Sequence, residues 1–179
     1  MGQFENYPMT TIFKDHPILS YLKFSILASL LYVITAFMFI RDDSFASSWI
    51  LYLGNMLFAF IIAIFIYTYN LRLHQNAKAQ TMIFAGHITA VLGILISCLL
   101  IFIIFLLYKP GIFHVMNNNP VSLQNSPPTL QGNGHGLMLV LFLNAVIGNI
   151  SASSFMSIIL PFTAKKYQKS NSGHEMQNA

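Results

Sequence analysis

The chain is poor in charge. Asp, Glu, Lys and Arg make up only 8% of its 179 residues, against about a quarter in a soluble domain, and that scarcity excludes an ordinary water-exposed surface. Disorder is excluded as well, because it goes with low hydrophobicity and high net charge, whereas 55% of these residues are hydrophobic, 16 are Phe and the mean hydropathy is +0.63. Cysteine is reduced to Cys98, so no intrachain disulfide can form and dithiol redox chemistry is ruled out. Cys98 sits in a long apolar run, where a thiol behaves as a small hydrophobe.

Motifs of chemistry are missing too. There is no H-E-x-x-H pair, no Walker loop and no G-x-S-x-G elbow. No carboxylate lies within the apolar runs to relay protons or hold a coupling cation, and paired inverted repeats are not evident, which disfavours a secondary pump. Asn149-Ile150-Ser151 matches a glycosylation triplet but falls inside an apolar run.

Long apolar runs are what the chain does have. A membrane span needs about 20 mostly apolar residues to cross about 30 Å of hydrocarbon, and four runs qualify, at 18–40, 49–70, 82–108 and 137–163. Each must be helical, since no water is available in lipid to satisfy an open sheet edge. A cleaved signal peptide is the rival reading of the first run, with Ser44-Phe45-Ala46 as a loose cleavage site. The run is longer than a signal core of about 7 to 15 residues, so a retained anchor is expected.

Orientation follows from the placement of Lys and Arg beside the spans. Lys14, Lys23, Arg72, Lys78, Lys165, Lys166 and Lys169 fall on one side, while the other has only Lys109 and an Arg41 outweighed by Asp42 and Asp43. The expectation is an all-α integral membrane protein, four transmembrane helices in an antiparallel bundle with both termini cytoplasmic. It divides into an N-terminal segment 1–17, a membrane domain 18–163 and a polar basic tail 164–179 that is expected to fray. The net charge of +4 is then a topology signal rather than a nucleic-acid surface, and a bacterial-type plasma (inner) membrane is the expected location. The outer loop 109–136 carries Pro110, Pro120, Pro127 and Pro128, four of ten glycines and five asparagines, a composition that builds neither a helix nor a core.

Helices associate in lipid through small residues and interhelical hydrogen bonds. Stripes at helical spacing predict the inward faces: Ser25, Ser29, Tyr32 and Ala36; Asn55, Ala59 and Ala63; Gly86, Ala90, Gly93 and Ser97; Asn144, Gly148 and Ser151. Spans three and four are expected to pack most closely.

Polar groups within the spans are the candidate functional residues, because burying them is costly. They are Asn55, His87, Asn144, Asn149 and Ser151. His87 is expected to hydrogen-bond across to Asn149 or Ser151 and lock spans three and four. A Ser/His hydrolytic dyad would also need an oxyanion site, for which no residue is evident. Haem between His16, His74 and His87 is disfavoured because the first two lie at or beyond helix ends. His114 with Met116 and His135 with Met138 flank the outer loop, and imidazole with thioether suits copper. Methionine is equally an adaptable core residue, so no metal and no cofactor is assigned.

With no catalytic constellation, the expected function is that of a non-enzymatic accessory or assembly subunit. Its partners would be the bilayer and another membrane protein or a second copy, and no nucleic acid. The alternative is an oligomeric channel or carrier for a neutral or apolar solute, with Asn55, Asn144 and Asn149 lining the path. A metal- or haem-binding membrane protein is the third reading.

Overall fold

The computed structural model describes residues 18–42, 45–72, 78–108 and 134–177, all of them helical or in short connections. Helix α1 (Ile18–Asp42) leads through a 3₁₀ turn (Phe45–Ser48) into α2 (Trp49–Arg72), and α3 is Ala79–Tyr108. The last rod is α4 (Gly134–Leu143), a five-residue π turn (Asn144–Gly148) and α5 (Asn149–Gln177). Four helices are long and apolar enough to span a membrane: Ile18–Asp42, Ala46–Leu71, Ala79–Tyr108 and Leu137–Lys165. They match the four runs expected from sequence, and the whole is compatible with a helical membrane protein.

The side chains are sorted inside out relative to a water-soluble bundle. On α1 the inward positions are small or hydroxylated, Ser25, Ala28, Ser29 and Ala36, all fully buried, while Leu22, Ile26, Leu30 and Ile34 point away from the bundle. On α3, Gly86, Ala90, Gly93 and Ser97 are buried and Phe84, Val91, Leu95 and Leu99 are exposed. Large apolar side chains facing outward along whole helices suit hydrocarbon and would be a liability in water.

Small residues let α1 approach its neighbours. Ser25 donates to the Thr89 carbonyl at 2.8 Å and Ser29 to the Gly93 carbonyl at 2.6 Å, each sharing its proton with the carbonyl one turn back in α1. The offset is 64 residues at both contacts, so α1 and α3 point the same way and keep one register across a turn. Gly54 of α2 lies against Tyr32 and Thr35, where a Cβ would come within 3.1 Å of the Tyr32 ring. Near the other end of this pair Tyr21, Phe24, Phe65 and Tyr69 form an aromatic cluster with ring centroids 5.3 to 6.4 Å apart. The packing of α1 on α2 and on α3 is about as extensive as that of α3 on the last rod, so spans three and four pack closely without standing apart from the other pairs.

The polar tail does not fray at the apolar boundary: α5 continues to Gln177. Its nucleus is already set within the bundle, so extension adds hydrogen bonds without a further nucleation cost. Pro161, inside α5 and buried, removes one backbone donor and leaves the Ser157 carbonyl without its usual partner.

Candidate functional site

Helix α2 and the last rod do not close against each other along their full length. An open groove of about 610 Å³ runs between them, with Tyr52, Asn55 and Met56 on one wall and Val140, Leu143, Asn144, Ile147, Gly148, Ser151 and Ala152 on the other. The π turn lies within it. A π turn inserts one residue into the helical phase and often marks a functional position. Here it separates Asn144, which faces the groove, from Asn149, which is fully buried.

Three polar side chains stand on a groove that is otherwise mainly apolar. Asn144 Oδ1 accepts a hydrogen bond from the Tyr32 hydroxyl at 3.0 Å, which ties the last rod to the first helix. Asn55 is 7% exposed, and its carboxamide fills the space that Gly148 leaves by having no Cβ. A side chain there would stand 2.9 Å from Asn55 Cγ, so glycine is needed for this approach. Asn55 Oδ1 is buried with no hydrogen-bond partner. Ser151 is exposed on the same wall. Leaving a buried carbonyl oxygen unpaired costs about 1 to 3 kcal/mol.

Of the predicted set, the structure brings Asn55, Asn144 and Ser151 together on one groove. Asn149 is elsewhere: its side chain is fully buried, and neither Oδ1 nor Nδ2 has a partner. The expected inward stripe of span four is displaced by one position. Leu137, Leu141, Ala145, Asn149, Ser153 and Ser157 are buried, whereas Ser151 is exposed and Asn144 and Gly148 are half-buried. The buried positions recur every four residues from Leu137 to Ser157, wider than the 3.6 of a regular α-helix, and the π turn at Asn144–Gly148 supplies part of that extra phase.

His87 does not lock spans three and four. Its Nδ1 lies 2.8 Å from the Ile83 carbonyl one turn back in its own helix, and since a carbonyl only accepts, Nδ1 carries the proton. The residue of α5 at this level is Ser157, which packs on Gly86. Ser151 lies six residues earlier in sequence, about 9 Å along a helix. Ser157 Oγ, Ser97 Oγ and Asn70 Oδ1 are further buried polar atoms without partners. Asn70 stands at the end of its apolar run, where a polar residue is ordinary, so the sequence does not set it apart.

Met138 is half-buried and packs on the core, while His114, Met116 and the His135 side chain fall outside the described residues, as do His16 and His74. Among the described residues no group of three His, Cys, Asp or Glu comes together. Comparison with protein-family models, with curated proteins and with solved structures gives no match.

Proposed function

We propose that this protein is a membrane-embedded accessory or assembly subunit that receives a transmembrane helix of a partner in the groove between α2 and the last rod. The observation that supports it most directly is Asn55, a buried carboxamide whose carbonyl oxygen has no partner, beside a groove whose opposite wall includes Gly148 and Ala152. Small residues admit a helix backbone, and one interhelical hydrogen bond to an amide contributes about 0.6 to 2 kcal/mol in lipid. The reading carries with it a plasma-membrane location, an antiparallel up-and-down arrangement and both termini on the cytoplasmic side, in line with the basic residues at the 18 end of α1 and the 165 end of α5.

Among the described residues the interior of the single bundle is filled by side chains. Tyr32, Phe39, Phe58, Phe65 and Phe105 fill it at 0 to 1% exposure, which weighs against transport by one copy. A carrier built from several copies is the second reading, favoured by Asn55, Asn144 and Ser151 sharing one groove.

A photoreactive residue placed at Ser151, and as a control at Leu95 on the outward face of α3, separates the two in native membranes. A single heterologous membrane protein crosslinked from Ser151 and not from Leu95 supports the accessory reading. Self-crosslinks only, together with solute flux in proteoliposomes, replace it with the carrier.

A further inference from the structure

A second site lies at the other end of α2, apart from the groove. There Ile66, Tyr67 and Asn70 of α2, Met82 of α3 and Leu160 and Thr163 of α5 enclose a crevice of about 220 Å³. Its walls are mainly apolar, and beside the Tyr67 and Thr163 hydroxyls they carry Asn70, whose side chain is 95% buried and whose Oδ1 has no hydrogen-bond partner. The neighbouring hydroxyls do not supply a proton: Thr163 donates to the Ile159 carbonyl at 3.0 Å and Thr68 to the Phe65 carbonyl at 2.9 Å. A carboxamide offers two donors and an accepting oxygen, so a molecule that satisfies it must both accept and donate.

Among the described side chains the charges nearest the crevice in sequence are basic. Lys78 precedes α3, whose first turn lacks acidic residues, and Lys165 follows the crevice wall on α5. The N-terminus of α3 points its unpaired amides and the positive end of its dipole to this level. Among the described side chains the one carboxylate is Asp42, at the far end of α1. Apolar sequence gives way to basic sequence at this height, on α2 after Asn70-Leu71 and on α5 after Thr163-Ala164, which is where the headgroup and ester zone of a bilayer meets a spanning helix.

We propose that this crevice binds an anionic phospholipid whose headgroup carries hydroxyls, of the phosphatidylglycerol class. An acyl segment lies against Ile66, Met82 and Leu160. Asn70 Nδ2 donates to an ester carbonyl, Oδ1 accepts from a headgroup hydroxyl, and the phosphate faces Lys78, Lys165 and the start of α3. An apolar floor with one amide at its rim fits an acylated ligand better than a free phosphate, which would be held by several donors and no hydrocarbon.

The test uses the full chain, delipidated in mild detergent and given back defined lipid. Native mass spectrometry and the thermal midpoint should show phosphatidylglycerol retained and stabilising, by mass action on the folded state, with phosphatidylcholine clearly weaker. Asn70→Leu should weaken phosphatidylglycerol binding by about tenfold. Should that variant fail to fold, Leu160→Trp, which fills the crevice from its α5 wall and keeps Asn70, should lose the lipid to the same extent. Equal retention in wild type and variant overturns the site, equal stabilisation by phosphatidylcholine overturns its charge preference, and displacement of the lipid by glycerol phosphate at comparable concentration overturns the lipid assignment. None of these readouts depends on a partner helix in the α2 groove.

Discussion

The hydroxyl of Ser29 on α1 donates to the backbone carbonyl of Gly93 on α3 at 2.6 Å, with Ser25 repeating the arrangement one turn earlier on Thr89. A serine can reach a carbonyl across a helix pair only where both backbones come close, and Gly93 permits this. Replacing Ser29 with Ala should cost about 0.6 kcal/mol and at most about 1.7, the range of interhelical hydrogen bonds in membranes. Ser25→Ala/Ser29→Ala should cost roughly twice that. Reversible unfolding in mixed micelles would measure both.

Gly93 should tolerate far less. A Cβ at that position meets Phe58 Cζ at 2.8 Å and Cε2 at 3.0 Å, with the Ser25 carbonyl at 3.3 Å on the other side. Ring and backbone close it from two directions, so Gly93→Ala should destabilise by about 1 to 3 kcal/mol through overpacking, and Gly93→Leu should abolish accumulation of folded protein. Melting curves of the purified variants give the check, and an unchanged midpoint for Gly93→Ala would contradict the packing described.

Two asparagines of the last rod should behave in opposite ways. Asn144→Leu removes the acceptor of the Tyr32 hydroxyl, which is fully buried, and should cost about 1 to 3 kcal/mol. Combining it with Tyr32→Phe should recover most of that, a coupling read by a double-mutant cycle. Asn149→Leu replaces a buried amide without partners by a side chain of similar size and should leave stability unchanged or raise it.

His87→Phe should be nearly silent. The ring bonds only to the Ile83 carbonyl of its own helix, and the backbone ladder keeps that carbonyl paired when the imidazole goes. Expected are normal abundance and a midpoint within about 0.5 kcal/mol of wild type, as for a site without a special role; a large loss would restore an interhelical role for His87.

Topology is open to direct measurement. In a Cys98→Ala background, single cysteines at Lys78 and Lys165 should react with an impermeant maleimide from one side of the membrane, and one at Trp49 from the other. Labelling of Lys78 and Lys165 from opposite sides would break the up-and-down arrangement.

How much of this was legible in advance differs by element. The four helices stood out because a span is defined by a local sum of hydropathy over about 20 residues, and that sum needs no knowledge of neighbours. The inward faces of α1 and α3 were equally readable. Ser25 and Ser29, and Gly86, Ala90, Gly93 and Ser97, recur at spacings of three and four, and a straight helix keeps that phase. Span four was misread by one position because the π turn at Asn144–Gly148 leaves no mark in composition.

Hydropathy and small-residue spacing, both properties of one segment at a time, determined that this chain makes four long apolar helices and which residues are cheap to bury between them. Only the tertiary structure decided the pairings: that Ser29 reaches Gly93, that His87 turns back on its own helix and lies level with Ser157 rather than Ser151, and that Asn55 and Asn70 end unpaired beside open space. Those outcomes depend on how far each helix slides along and rotates against the next. A shift of one residue, about 1.5 Å and 100°, exchanges one set of neighbours for another without altering any segment's own pattern.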